Sequence, residues 1–278
     1  SYSDAGIMSK EYLEAVFKRF CGKGNYKFEK IDFVKYKNTR AVNKEIREDK
    51  RESKHFEYLL IGEKHKPVFI SPLNYIGGKY DVLDFILPKF PSDIDKFYDL
   101  FGGGATVSIN ANAKQVIYND INFNVVNLLK FISNHNPSLM YDYIIKTIKK
   151  YRLEKGNKET YNAFREYYNS LEIEKRNPLD LYILICYGFE HQIRYNSKME
   201  FNNPCGNSGF NDEMLEKLIS YSIESKEKGI KYFSKDYNLF EKDINSGDFI
   251  YCDPPYLLTC GAYNDGKRGF NGWDKNQQ

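Results

Sequence analysis

From about residue 66 onward the chain alternates short apolar runs with longer segments of helical spacing. Phe97-Tyr98-Asp99-Leu100 and Val116-Ile117-Tyr118 have the length and the aromatic, β-branched content of interior strands. Lys79–Leu87, Ala105–Ala113 and Asn122–Ile132 carry their apolar residues at helical spacing. This repetition of strand and helix predicts a parallel sheet with crossover helices. Residues 137–227 interrupt it: they are mostly helical, with the polar stretch Arg194–Asn207 in the middle, and read as an insertion. Strand-like segments return at Gly229–Phe233 and Phe249–Cys252, making about four strands. A doubly wound sheet normally has more, so the expectation is a sheet cut short at its carboxyl end. Ahead of this region, residues 9–20 and about 41–60 read as helices, the second heavily charged. The change of composition at Pro67-Val68-Phe69-Ile70-Ser71-Pro72 marks a boundary between the two parts.

Composition narrows the picture only a little. The 278 residues are enough to bury a core, and 41% hydrophobic with 28% charged residues is ordinary for a soluble chain. Aromatic residues reach 16%, which fits a codon bias toward A and T as well as a stacking surface. No apolar run approaches the ~20 residues needed to span a bilayer, and no leader sequence is visible. Five cysteines without a C-x-x-C pair and four scattered histidines indicate neither a zinc site nor a disulfide framework. The expectation is an intracellular, cytoplasmic protein without a metal. The net charge is +3, and residues 1–60 hold 14 Lys/Arg against 10 Asp/Glu. That basic extension (residues 1–65) could meet phosphates as an accessory DNA-binding unit, or be a solvated helical face.

Two stretches carry chemistry. In Gly247-Asp248-Phe249-Ile250-Tyr251-Cys252-Asp253-Pro254-Pro255-Tyr256 a buried strand ends at a carboxylate and two prolines. Proline has no N–H and forces the preceding residue to be extended, so this loop is stiff and its carbonyls stay available as acceptors. Asp253 and Tyr256 then stand at a strand's carboxyl end, where open α/β sheets bind ligands. In Asp99-Leu100-Phe101-Gly102-Gly103-Gly104-Ala105 a strand runs through three glycines into a helix, which permits close approach of a ligand to the backbone. Asp120 ends the next strand, where nucleotide-binding folds place an acid that accepts from ribose hydroxyls; capping the following helix is its other reading. The glycines do not follow G-x-G-x-x-G, which argues against a nicotinamide cofactor.

In this combination the chain resembles the Dam-like N6-adenine DNA methyltransferases, in which the recognition domain lies between the glycine motif and the catalytic motif. The resemblance runs from about Ser71 to Gln278. Pro72-Leu73-Asn74-Tyr75-Ile76-Gly77-Gly78-Lys79 is similar to the family's N-terminal cofactor motif. Asp99 to Gly104 is similar to its glycine motif, with Asp where Glu is frequent and Leu where Pro is common. Asp120 matches the ribose acid, Asp236-Tyr237 the place of an aromatic beside the cofactor's adenine, and Asp253-Pro254-Pro255-Tyr256 the catalytic motif. His191 to Pro204, with Arg194-Tyr195-Asn196 ahead of Phe201-Asn202-Asn203-Pro204, is similar to the hairpin-bearing recognition region. The Cys205-Gly206-Asn207-Ser208-Gly209-Phe210 that follows departs from members reading GATC, so that specificity does not carry over.

What the resemblance implies is concrete. The fold is α/β, a Rossmann-like S-adenosylmethionine-dependent methyltransferase sheet formed by residues 66–135 and 228–278, with a mostly helical target-recognition insertion over 136–227. The cofactor is S-adenosylmethionine, held by Tyr75, Gly77, Gly78, Lys79, Asp99, Phe101, Gly102, Gly103, Gly104, Asp120, Asp236 and Tyr237, with Lys79 facing its carboxylate. Asp253 and the Pro254 carbonyl accept from the amine of a flipped adenine, Pro255 stiffens the loop and Tyr256 stacks on the base. Arg194, Asn196, Lys198 and Asn202 contact DNA. The partners implied are double-stranded DNA, a restriction endonuclease in a restriction-modification system, and a missing carboxyl-terminal portion. The rival expectations are a methyltransferase of RNA or protein amides, or a non-catalytic binding fragment completed by a partner.

Overall fold

The structure is a computed structural model that describes residues 26–32, 56–62 and 68–254. The chain divides into two compact units between Val68 and Phe69. In the first, β1 (Tyr26–Asp32) and β2 (Phe56–Gly62) form an antiparallel pair, with Tyr26 opposite Gly62 and Asp32 opposite Phe56. This corrects the expectation of helix over about 41–60 where it reaches β2. Phe56-Glu57-Tyr58-Leu59-Leu60-Ile61 is rich in aromatic and branched residues, and the partner strand supplies the ladder that such a run needs. The expected helix at 9–20 lies outside the described residues.

The second unit is built on a four-stranded, all-parallel sheet in the order β5-β4-β3-β6. Its strands are β3 (Lys96–Asp99), β4 (Gln115–Asn119), β5 (Lys231–Phe233) and β6 (Phe249–Tyr251). The expected helix over Lys79–Leu87 is broken into a 3-10 turn (Tyr80–Val82), the single turn α1 (Leu83–Ile86) and a second 3-10 turn (Leu87–Lys89). Pro88 stands where a continuing helix would need an amide donor. Helix α2 (Thr106–Asn110) stops when Ala111 turns extended, and α3 (Phe123–Asn134) follows β4.

The insertion contributes α4 (Pro137–Tyr151), α5 (Lys158–Ser170), α6 (Pro178–Tyr187) and α7 (Asp212–Glu227). Each helix from α3 to α7 starts at an asparagine whose side chain accepts an orphan amide: Asn122, Asn136, Asn157, Asn177 and Asn211. Pro137 and Pro178 occupy first-turn positions, where no amide donor is lost. Every residue of α6 from Leu179 to Tyr187 is buried, so this helix is the axis of the insertion rather than an amphipathic cover. One apolar core joins Phe97, Val116 and Tyr118 of the sheet to Leu129 of α3, Leu184 of α6 and Tyr221 of α7. The opposite sheet face carries a smaller cluster of Tyr98, Leu100, Ile117 and Phe240. Among the described residues no helix is long and apolar enough to cross a membrane.

Candidate active site

The carboxyl ends of β3, β4 and β6 lie side by side, because Asp99 pairs in register with Tyr118 on one flank and Tyr251 on the other. Three loops therefore leave the sheet together. From β3 the chain enters Leu100–Ala105. Leu100 N–H donates to the Tyr251 carbonyl (3.2 Å) and Gly102 N–H to the Asn119 carbonyl (2.8 Å). The glycines are dictated by their neighbours. A Cβ on Gly102 would come within 2.2 Å of the Tyr118 ring, and one on Gly103, whose φ is +48°, within 2.8 Å of the Tyr75 ring. Ala105 adopts φ 62° as it enters α2, a left-handed conformation that a non-glycine residue holds only under constraint from its surroundings.

Gly103 is fixed at both of its polar groups. Its N–H donates to Asp120 Oδ2 (2.8 Å), and its carbonyl accepts from the Tyr118 hydroxyl (2.7 Å). Asp120 also accepts from Asn122 N–H at Oδ1 (2.8 Å), so this buried acid shapes the glycine loop and opens α3. Asn119, which no sequence motif singles out, ties the β3 loop to the segment after β5. Its amide donates to the carbonyls of Leu100 and Lys235 (3.0 Å each), and its Oδ1 accepts from Lys235 N–H (3.1 Å). Next to that segment, Asp236 accepts from Asn238 N–H (2.9 Å), and the Tyr237 ring lies 5.2 Å from that of Phe101.

Asp99 is buried, and its Oδ2 accepts a short hydrogen bond from Ser108 Oγ (2.6 Å). Its Oδ1 has no hydrogen-bond partner among the described residues. Burial first, and then the charges of Asp120 and Asp253, push its carboxyl up to about 7, against the stabilising Ser108 bond. A buried carboxyl oxygen without a partner among the described residues, beside a glycine turn, fits a cofactor that brings a hydrogen-bond donor to this edge.

The third loop starts at Cys252 and holds Asp253, whose Oδ2 forms an ion pair with Lys79 Nζ. Lys79 comes from a tight turn in which Gly78 N–H donates to the Tyr75 carbonyl (3.0 Å) and Gly77 has φ 78°. The structure thus brings Tyr75, Gly77, Gly78, Lys79, Asp99, Phe101, Gly102, Gly103, Gly104, Asp120, Asp236, Tyr237, Asp253 and Pro254 to one sheet edge. Pro255 and Tyr256 lie outside the described residues.

The four recognition candidates sit on a narrow hairpin closed by an antiparallel bridge between Tyr195 and Phe201. Arg194 and Lys198 are exposed. Asn196 is engaged in the turn itself. Its Oδ1 accepts from Lys198 N–H (2.9 Å) and Glu200 N–H (3.0 Å), and its amide donates to Glu200 Oε2 (2.7 Å). Asn202 N–H donates to the Arg194 carbonyl (2.9 Å). Two residues that carry no sequence signal hold this hairpin. Arg176 donates to the carbonyls of Met199 (2.7 Å), Leu171 (3.2 Å) and Asn169 (3.2 Å), and the Asn169 side chain pairs with Phe201 N–H (2.8 Å) and its carbonyl (2.9 Å). Where the hairpin strands leave α6, Glu190 and His191 have φ 50° and 54°, and half-exposed Phe189 points outward. Asn74 Nδ2 donates to the Glu190 carbonyl (2.9 Å), which links the hairpin base to the segment leading into Tyr75.

Strand order, all-parallel pairing and loops gathered at one carboxyl edge define the class, a Rossmann-like methyltransferase sheet. The sequence pattern of the D12 class N6 adenine-specific DNA methyltransferases matches residues 75–278, and the chain belongs to that family. It is 37% identical over its whole length to modification methylase StsI of Streptococcus sanguinis, covering 44% of that protein. It is 36% identical to type II methyltransferase M.FokI of Planomicrobium okeanokoites, covering 45%. A DNA adenine methylase of Haemophilus influenzae is 31% identical over 69% of this chain and 64% of its own length. The chain thus spans less than half the length of the StsI and FokI enzymes.

Proposed function

We propose that this chain transfers a methyl group from S-adenosylmethionine to the N6 amine of an adenine in duplex DNA, as the modification arm of a restriction-modification system. The observation that carries the reading is the adjacency of Asp253-Pro254 to the glycine loop. The strands that lead into them are far apart in sequence yet paired in register in one parallel sheet. Methyltransferases of this family generally use S-adenosylmethionine, and of the relatives StsI is named a modification methylase and M.FokI a type II methyltransferase. A second portion of chain and a cognate endonuclease are partners this reading allows for.

Bound S-adenosylmethionine supplies an electrophilic methyl on a sulfonium. The remaining chemistry falls to the protein. The Asp99 carboxyl receives a polar group of the donor beside the glycine turn, and Phe101 and Tyr237 offer apolar faces to its base. Asp253 and the Pro254 carbonyl accept hydrogen bonds from the two protons of the adenine amine. That draws the nitrogen toward a tetrahedral geometry and frees its lone pair, which conjugation with the ring otherwise holds. Acceptors fixed before the reaction cost no reorganisation during it. Arg194 and Lys198 provide exposed cations for the DNA backbone or base edges.

The test is methyl transfer from labelled S-adenosylmethionine to unmethylated duplex DNA. Label is expected in N6-methyladenine, and Asp253→Ala is expected to lower the rate by ~100-fold or more, the scale of losing a preorganised acceptor. Label in another base, or an Asp253→Ala enzyme of ordinary activity, contradicts the proposal.

A further inference from the structure

Lys79 has partners of its own within the site. Its ammonium donates to the Gly77 carbonyl (2.8 Å) and pairs with Asp253 Oδ2. The turn beneath it is stiff, closed by the Gly78–Tyr75 hydrogen bond and by the left-handed Gly77. Both partners are shielded, with side chains 18% and 21% exposed, so solvent screens this pair less than one on the open surface. A carboxylate offers about four lone-pair sites on two oxygens, and holding one oxygen fixes the direction of the other. We infer that Lys79 is the positioning residue of the methyl-acceptor site: tethered to the Gly77 carbonyl, it grips Asp253 by Oδ2 and so presents Oδ1 to the adenine amine.

This deepens the adenine-methylation reading and rests on it, while moving Lys79 from the donor half of the site to the acceptor half. The turn also serves both halves, since Tyr75 at its start packs on Gly103. Electrostatics gives the pair a second task. Asp253 faces Asp99 from β3, and Asp99 in turn faces Asp120 from β4, with Cys252 as the chain neighbour. Lys79 is the cation paired with Asp253 in this carboxylate group. Removing it takes the opposing charge away from Asp253 and leaves its like-charged neighbours.

The first readout needs no catalysis. The coupling of Lys79 to Asp253 is measured by a double-mutant cycle on urea unfolding of the full 278-residue chain, with Lys79→Met, Asp253→Asn and the two together. The two substitutions are expected to be non-additive, the double variant unfolding no more readily than the worse single one. Single-turnover transfer at neutral pH is expected to fall ~10-fold or more in Lys79→Met, while S-adenosylmethionine affinity stays within ~3-fold. Lys79→Arg keeps the charge and is expected to restore most of the rate. Additive effects on unfolding overturn the inference. So does a loss confined to cofactor affinity with a normal saturated rate, the signature of a lysine that holds the donor's carboxylate. Absence of methyl transfer by the unsubstituted chain would instead strike the adenine-methylation reading, and the cycle would still decide the pairing.

Discussion

At Asp99, burial, one short hydrogen bond and two neighbouring carboxylates act on a single proton. An unfolded Asp titrates near 3.9, whereas this one is raised to about 7. Between those values the folded chain keeps a proton that the unfolded chain has lost. The contribution of Asp99 to stability is therefore full below the unfolded value and is lost as pH rises toward about 7. Urea unfolding between pH 4.5 and 8 should show a decline from this residue of at most ~1.4 kcal/mol per unit, and Asp99→Asn should flatten it. A decline of the same steepness in the variant contradicts the assignment. Asp99, the glycines and Asp253 were legible in the sequence because strand-then-glycine and acid-then-proline are local patterns. The partner of Lys79 was not, since the ion pair joins segments that only the folded sheet brings together. The role of Asn196 inside its own turn was equally hidden, because side-chain amides that close turns and those that read bases look alike in a sequence.

The hairpin over residues 194–202 shows how an element depends on residues outside it. A single bridge closes it, between Tyr195 and Phe201, and two isolated strands of that kind are marginal by themselves. Arg176 clamps the turn from the loop before α6, donating to three backbone carbonyls. Arg176→Ala leaves those acceptors to water or unpaired, at ~1–3 kcal/mol. The expected outcome is DNA affinity reduced ~10-fold or more at unchanged S-adenosylmethionine affinity, read by fluorescence anisotropy and calorimetry. Equal loss of both affinities would mean that Arg176 supports the whole unit. The elements themselves were partly legible. The start of α3 was legible at Asn122, whereas α4 to α7 were read only together, as a mostly helical insertion. β2 escaped because the charge density across residues 41–60 resembles a solvated helix, and β1 because strand pairing is a non-local decision that composition does not reveal.

Across the second unit, sheet and insertion share one apolar core. Leu184 of α6 is fully buried in that core, far in sequence from the strands it helps to cover. Leu184→Ala is expected to cost ~2–5 kcal/mol and to lower the thermal midpoint of sheet and insertion together. Hydrogen exchange provides the check: amides of β4 and of α6 should lose protection in parallel. Loss confined to α6 would make the insertion an independent folding unit.

The pairing of β3 with β6 also sets a schedule. Lys96 N–H meets Asp248 Oδ1 across 152 residues of chain. Lengthening such a closure costs little free energy, about 0.6 kcal/mol per doubling, yet slows its formation. Synthesis proceeds from the amino end, so the glycine loop, β4 and the inserted helices all leave the ribosome before the strand that carries Asp253. The glycine loop of the nascent chain therefore stands without Asp253 beside it until β6, the last strand of this sheet among the described residues, has docked.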